Sequence, residues 1–333
     1  MDDWQINVVF GSSQGLKNDA LIVSKVIKEH FPDITIREFD GTKHTSVNCW
    51  NLLKKLFSSI FLGKKQLTIH FEEIYSEVMV NTHVNIFFPN QEWLRSKTQQ
   101  KIDDNVHVFC KTKYALKQLS ARWLHCEFAG FTSNDIQDKT IEKDYGKYLH
   151  VAGKSEQKGT IPLLQAWQKH PEWPTLTVVS RLKEHQKFRA ENLKILSSFL
   201  PQDELEFLMN KCGIHLCPSE AEGFGHSINE AMSTSAVLAV TDAAPMNEFG
   251  EDLFLFNVSR KSTRYFSSIN ECSIEDIENT IELILSTGLD KLKDIGRKNR
   301  IRYEEQKLAF DRNFIKLLRE CLNTSSANLV KLK

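Results

Sequence analysis

Short apolar runs alternate along the chain with longer stretches in which apolar residues recur every three or four positions. In the first half Ile6–Phe10, Ile34–Phe39, Gln66–His70, Val84–Phe88 and Val106–Cys110 read as strands. Leu149–Ala152, Leu176–Ser180, Leu193–Leu196, Gly213–Cys217 and Val237–Asp242 do so in the second half. Between them, Leu21, Ile22, Val26 and Ile27 share one face of a helix that Asn18 or Asp19 is placed to cap. Leu163, Leu164, Ala166 and Trp167 form the apolar face of another, and helices also fit the stretch from Tyr114, Asp203–Lys211, Ser227–Thr234, Ile274–Ser286 and Leu289–Leu322. Strands alternating with helices predict an α/β chain built on parallel sheets.

Composition narrows this reading. A length of 333 residues suits two domains, and 41% hydrophobic content can fill two cores. The strand at Leu149 opens the second domain, so the expected division is 1–148 and 149–304. Lys plus Arg and Asp plus Glu number 43 each, so no overall field draws the protein to nucleic acid. The seven cysteines are scattered and several lie in predicted strands, which suits reduced, packed thiols and a cytoplasmic setting. No signal peptide fits the acidic first residues, and no run approaches the ~18 apolar residues a spanning helix needs. Residues 50–65 are amphipathic, aromatic and basic at their end, a composition that can lie on the inner membrane surface or pack on a sheet.

The stretch Pro218–Glu230 carries the densest candidate chemistry. It follows the strand Gly213–Cys217 and comprises a turn with Gly223 and Gly225 and a helix start whose first amides lack helical partners. Such a start carries partial positive charge and suits an anion. Glu222 and Glu230 frame it; carboxylates repel a phosphate, so they fit uncharged hydroxyls of a sugar and a ribose. A second loop, Gly153–Gly159, brings Lys154 and Lys158. In the first half the turn with Gly11, Ser12 and Gly15 lacks Gly-x-Gly-x-x-Gly, which argues against NAD. His70 ends a strand, where open α/β sheets meet ligands, or simply completes it. Asn90 and Glu92 follow the strand at Val84–Phe88.

Glu222-Gly223-Phe224-Gly225 through Glu230-Ala231-Met232 resembles the Glu-x7-Glu segment of retaining, nucleotide-sugar-dependent glycosyltransferases, particularly glycosyltransferase family 4, the group 1 type. The resemblance implies a GT-B fold of two Rossmann-like domains, with parallel sheets facing a central cleft. It implies an N-terminal acceptor domain, a C-terminal donor domain, and a last helix, about 305–323, packing back on the first. In that reading Lys154 and Lys158 grip the donor diphosphate, and Gly223, Phe224, Gly225, His226, Glu230 and Glu248 complete the donor site. Glu222, Lys158 and His70 are the catalytic candidates, while Gly11, Ser12, Gly15, Asn90 and Glu92 face the acceptor. No cofactor is implied beyond the nucleotide-sugar co-substrate, and with no Asp-x-Asp motif no metal is implied either. The acceptor is left open among glycan, lipid, small molecule and modified nucleic-acid base. A sugar-nucleotide epimerase or hydrolase of the same fold, or a non-catalytic partner subunit, is the alternative. Ser235 and Val237 stand where relatives carry Gly and Pro, and Lys154 stands where they carry Arg.

Overall fold

The computed structural model describes residues 4–41, 64–75, 79 and 82–330. It divides into a first unit, Met1–Ser133 with Lys307–Lys333, and a second, Asn134–Gln306. Residues 50–63 of the amphipathic segment lie outside the described residues. Among the described residues no helix is long and apolar enough to cross a membrane.

The first unit is built on six parallel strands, β1 (Trp4–Phe10), β2 (Thr35–Asp40), β3 (Lys65–Phe71), β4 (Val84–Phe88), β5 (Val106–Cys110) and β6 (Cys126–Phe128), in the order β2-β1-β3-β4-β5-β6. A parallel sheet is covered on both faces, which is why Val8, Val9, Ile69, Ile86, Phe87 and Val108 are all fully buried at its centre. Helix α1 (Gln14–His30) follows β1, and α2 (Lys113–Leu119) follows β5. Helix α1 starts earlier than the sequence suggested. Ser13 is its cap, accepting the Leu16 amide at 3.2 Å, while Asp19, one of the two expected caps, is buried on the helix. Aromatic rings close this core, with Phe71 stacked on Phe88, and Phe131 and Phe314 against Phe310.

The second unit repeats the scheme with β7 (Asp144–Gly153), β8 (Leu176–Ser180), β9 (Leu193–Leu196), β10 (Cys212–Cys217), β11 (Val237–Thr241) and β12 (Phe254–Phe256). Their order is β12-β11-β10-β7-β8-β9, all parallel, beside an antiparallel hairpin of β13 (Arg260–Arg264) and β14 (Ser267–Glu271). Helix α3 (Thr160–Lys169) buries Leu163, Leu164 and Trp167 against Leu176, Val178 and Ile214, and the Trp167 indole N–H donates to the Pro174 carbonyl at 2.9 Å. Helices α4 (Gln202–Lys211), α5 (His226–Ser233), α6 (Ile274–Leu285) and, up to Gln306, α7 (Leu289–Val330) complete the set, while α7 from Lys307 onward belongs to the first unit. The second unit begins at Asn134, ahead of the expected division after residue 148. Residues 135 and 138 are held by it: Arg300 grips both oxygens of Asp135, at 2.6 and 2.8 Å, and Asn210 accepts the Asp138 amide at 2.9 Å.

In this sheet β8 and β9 extend to one side of β7, while β10, β11 and β12 extend to the other. The order in which strands are added therefore reverses between β7 and β10, which run parallel, and the loops leaving their carboxyl ends border the crevice where such sheets bind ligands.

Candidate functional site

The loop after β7, residues 154–158, and the turn after β10, residues 218–225, are fastened to each other. The Gln157 carbonyl accepts the Glu220 amide at 3.0 Å. Gly159, with φ +62°, lies so close to Pro218 that a β-carbon there would sit 2.0 Å from the Pro218 carbonyl oxygen. Only glycine satisfies both the left-handed backbone and that approach. Lys158 forms an ion pair with Glu222, and the two side chains are only 18% and 12% exposed. Lys154, at the start of the loop, is exposed.

The turn is pinned from behind as well. The Thr241 hydroxyl donates to the Ser219 carbonyl at 2.7 Å, and the Asn270 amide to the Glu220 carbonyl at 2.8 Å. Gly225, φ +107°, is the N-cap of α5 and brings no side chain to satisfy that helix's first amides. A β-carbon on it would meet the Phe249 ring at 3.1 Å. Phe224 lies edge-on to both Phe249 and His226. Below the loops, buried His150 has Nδ1 2.7 Å from the Leu216 carbonyl, an atom that can only accept, so the proton is on Nδ1. Its Nε2 then accepts from the Thr160 hydroxyl at 2.9 Å, which joins β7, β10 and the start of α3. Burial pushes His150 down to about 4, so it is a neutral brace near neutral pH.

Glu230, on α5, has its carboxyl held above the ordinary range by burial, with His226 and Lys158 drawing it back down. The positive charge of Lys158 is thus felt by both glutamates of the turn. Glu248 is exposed on the short helical turn Met246–Phe249, beside a depression of about 440 Å³ that Arg302, Glu305 and Gln306 also line. Its neighbour Phe249 connects it to the glycine turn through Phe224. The second unit therefore gathers Lys158, Glu222, Gly223–His226 and Glu230 around one switch point, with Lys154 and Glu248 at its margins.

In the first unit Gly11 is buried at the end of β1, Ser12 is exposed, and Gly15 stands in the first turn of α1 facing open space. Asn90 is held on both sides, by Lys111 Nζ at 3.0 Å and by Glu72 at 2.8 Å, and Glu92 is buried. His70 is the last residue but one of β3. It is fully buried within β3, its Nε2 3.1 Å from Asn85 on the adjacent strand, and burial lowers it to about 4, as befits a neutral core histidine. Sequence reading passed over Lys111, whose ammonium lies 2.6 Å from Asp19 with both side chains nearly inaccessible. It also passed over His150, Thr241 and Asn270. Each lies in or beside a strand, and only the sheet order reveals what it holds.

Residues 131–302 match the family described as "Glycosyl transferases group 1". No curated protein matches the chain. Its fold is similar to a glycosyltransferase from Rickettsia africae ESF-5, at TM-score 0.69 and 15% identity over 96% of this chain and 98% of that one. Sucrose-phosphate synthase from Thermosynechococcus elongatus is similar at TM-score 0.69 and 12% identity over 96% and 100%. HepE from Anabaena, solved with UDP and glucose, is similar at TM-score 0.66 and 14% identity over 94% and 99%.

Proposed function

The chain belongs to the group 1 glycosyl transferases, and from that premise we propose that it transfers a sugar from a nucleoside-diphosphate sugar to an acceptor, with retention at the anomeric carbon. The observation that carries this reading is the fastening of the lysine loop to the glycine turn, which sets an ammonium group and an uncapped helix start beside two carboxylates. A diphosphate matches the positive elements, and hydroxyls match the acids. UDP and glucose in the HepE structure agree with such a donor.

In this mechanism the bond between the anomeric carbon and the diphosphate oxygen breaks as the acceptor oxygen bonds to the same face of that carbon. Negative charge grows on the leaving diphosphate, where Lys158, Lys154 and the amides at 223–226 offset it. The acceptor's proton passes to the leaving phosphate oxygen. Glu222 orients sugar hydroxyls and Glu230 accepts from the ribose. Lys154 offers a point charge where a guanidinium would offer a fork, so it holds the phosphate less rigidly. Because lysines and helix amides supply the positive charge, turnover should persist in EDTA.

Thermal shift against UDP-, GDP- and ADP-sugars tests the assignment. A ligand at about 100 times its dissociation constant adds ~2.7 kcal/mol of stability. Glu230→Ala should abolish the shift in a protein that is still folded. Lys158→Ala should weaken donor affinity or turnover by roughly tenfold to a hundredfold, the value of a charge-assisted contact. A full-sized shift in Glu230→Ala would contradict the ribose role, and no shift with any of the sugars would remove the donor site altogether.

A further inference from the structure

Lys158, the cation assigned to the diphosphate, is engaged by Glu222 in an ion pair largely shielded from water. Its loop cannot easily draw back, because Gly159 abuts the Pro218 carbonyl and Gln157 is bonded to Glu220. An anion arriving at Lys158 therefore meets a carboxylate already seated on the same ammonium group. The two cannot share it without repulsion between like charges at close range. Resting on the donor-site reading above, we propose that Glu222 is an internal counter-ion which a diphosphate must displace from Lys158. The released carboxylate then becomes the acceptor for sugar hydroxyls.

This makes the site selective by charge. A neutral sugar, or a group bearing a single negative charge, gains too little at Lys158 to replace Glu222, whereas a diphosphate brings several charged oxygens at once. It also orders events, since the hydroxyl-accepting position of Glu222 exists only after the diphosphate has taken its place. Glu222 therefore acts first as a specificity-determining residue and only then as a sugar contact.

Nucleoside diphosphates without a sugar isolate the first of these roles. UDP, GDP and ADP would be titrated by calorimetry into wild type, Glu222→Gln, Lys158→Gln and the double variant. For whichever diphosphate binds wild type, Glu222→Gln should bind it about tenfold tighter or more, and UMP or its counterpart should gain less. The gain should vanish in the Lys158→Gln background. Equal or weaker binding by Glu222→Gln overturns the proposal, and so does a gain of the same size without Lys158. Should Glu222→Gln not fold, Glu222→Asp keeps the charge and shortens the reach; it must also bind more tightly, and no gain there overturns the proposal. If neither wild type nor any variant binds a diphosphate, the donor-site reading fails with it. Binding by wild type without a gain in the variants sinks the counter-ion role alone.

Discussion

Lys111 and Asp19 show how far a single side chain's role depends on its partner. Their atoms lie 2.6 Å apart, both side chains are at most 3% exposed, and the Lys111 ammonium also faces the rings of Phe71 and Phe131. Removing one member of such a pair strands a charge in the core. Asp19→Ala should therefore cost about 3–5 kcal/mol in urea unfolding, and a loss under ~1 kcal/mol would show that the pair contributes little. The same lysine orients Asn90, so the variant should also loosen that side chain. At this scale the sequence named the groups but not their bonds. Arg297, Lys298, Arg300 and Arg302 look like a solvated basic face when read in order. In the fold Arg300 is held by Asp135 and the Ser233 carbonyl, and Arg302 by Asp252, all distant in the chain.

Among elements, the junction of two loops decides whether there is a site. Gly159 combines a positive φ with a backbone approach that leaves no room for a methyl group. Gly159→Ala should lower stability by about 1–3 kcal/mol through strain and should abolish nucleoside-diphosphate binding by parting the loops. Retained binding with unchanged stability would mean that the contact does not hold the loops in register. Ser235 is instructive beside it. The sequence marked it as a departure from the glycine of relatives, and the structure finds it at φ +61° after α5, a left-handed position that glycine adopts without strain. Strands β1, β3, β4, β5, β8 and β10 were legible because each is an apolar run between turn residues. Strands β6 and β12, three residues each, and the polar hairpin β13–β14 were not, since such short or exposed segments show no period.

Across the whole molecule, buried neutral histidines link folding to pH. Burial holds His70 and His150 at about 4 and His215 at about 3, against an ordinary 6.5. Below pH 6.5 the unfolded chain takes up protons that the folded chain refuses until near pH 4, so the unfolded state binds more protons in that window. Stability therefore rises with pH there, and it is lost as pH falls from 6.5 toward 4, by about 1.4 kcal/mol per unit for each histidine. Burial raises Glu127, Glu220 and Glu230, which act in the opposite sense. A comparison isolates one group: His150→Gln should show a shallower loss of urea midpoint between pH 6.5 and 4.5 than wild type, whatever its stability at pH 7. Parallel curves would place the His150 proton equilibrium outside the folding reaction.

The sequence by itself determined the class of fold, the alternation of strands and helices, and the turn from Glu222 to Glu230, because periodicity and glycine placement are local properties of a chain. Only the tertiary structure decided that β7 and β10 are neighbours, that the lysine of one loop therefore meets the glutamate of the other, and that the His70 ring is sealed from water against Asn85 of the next strand. Those facts depend on strand order, and strand order is set by the burial of whole faces against one another, which no window of neighbouring residues contains.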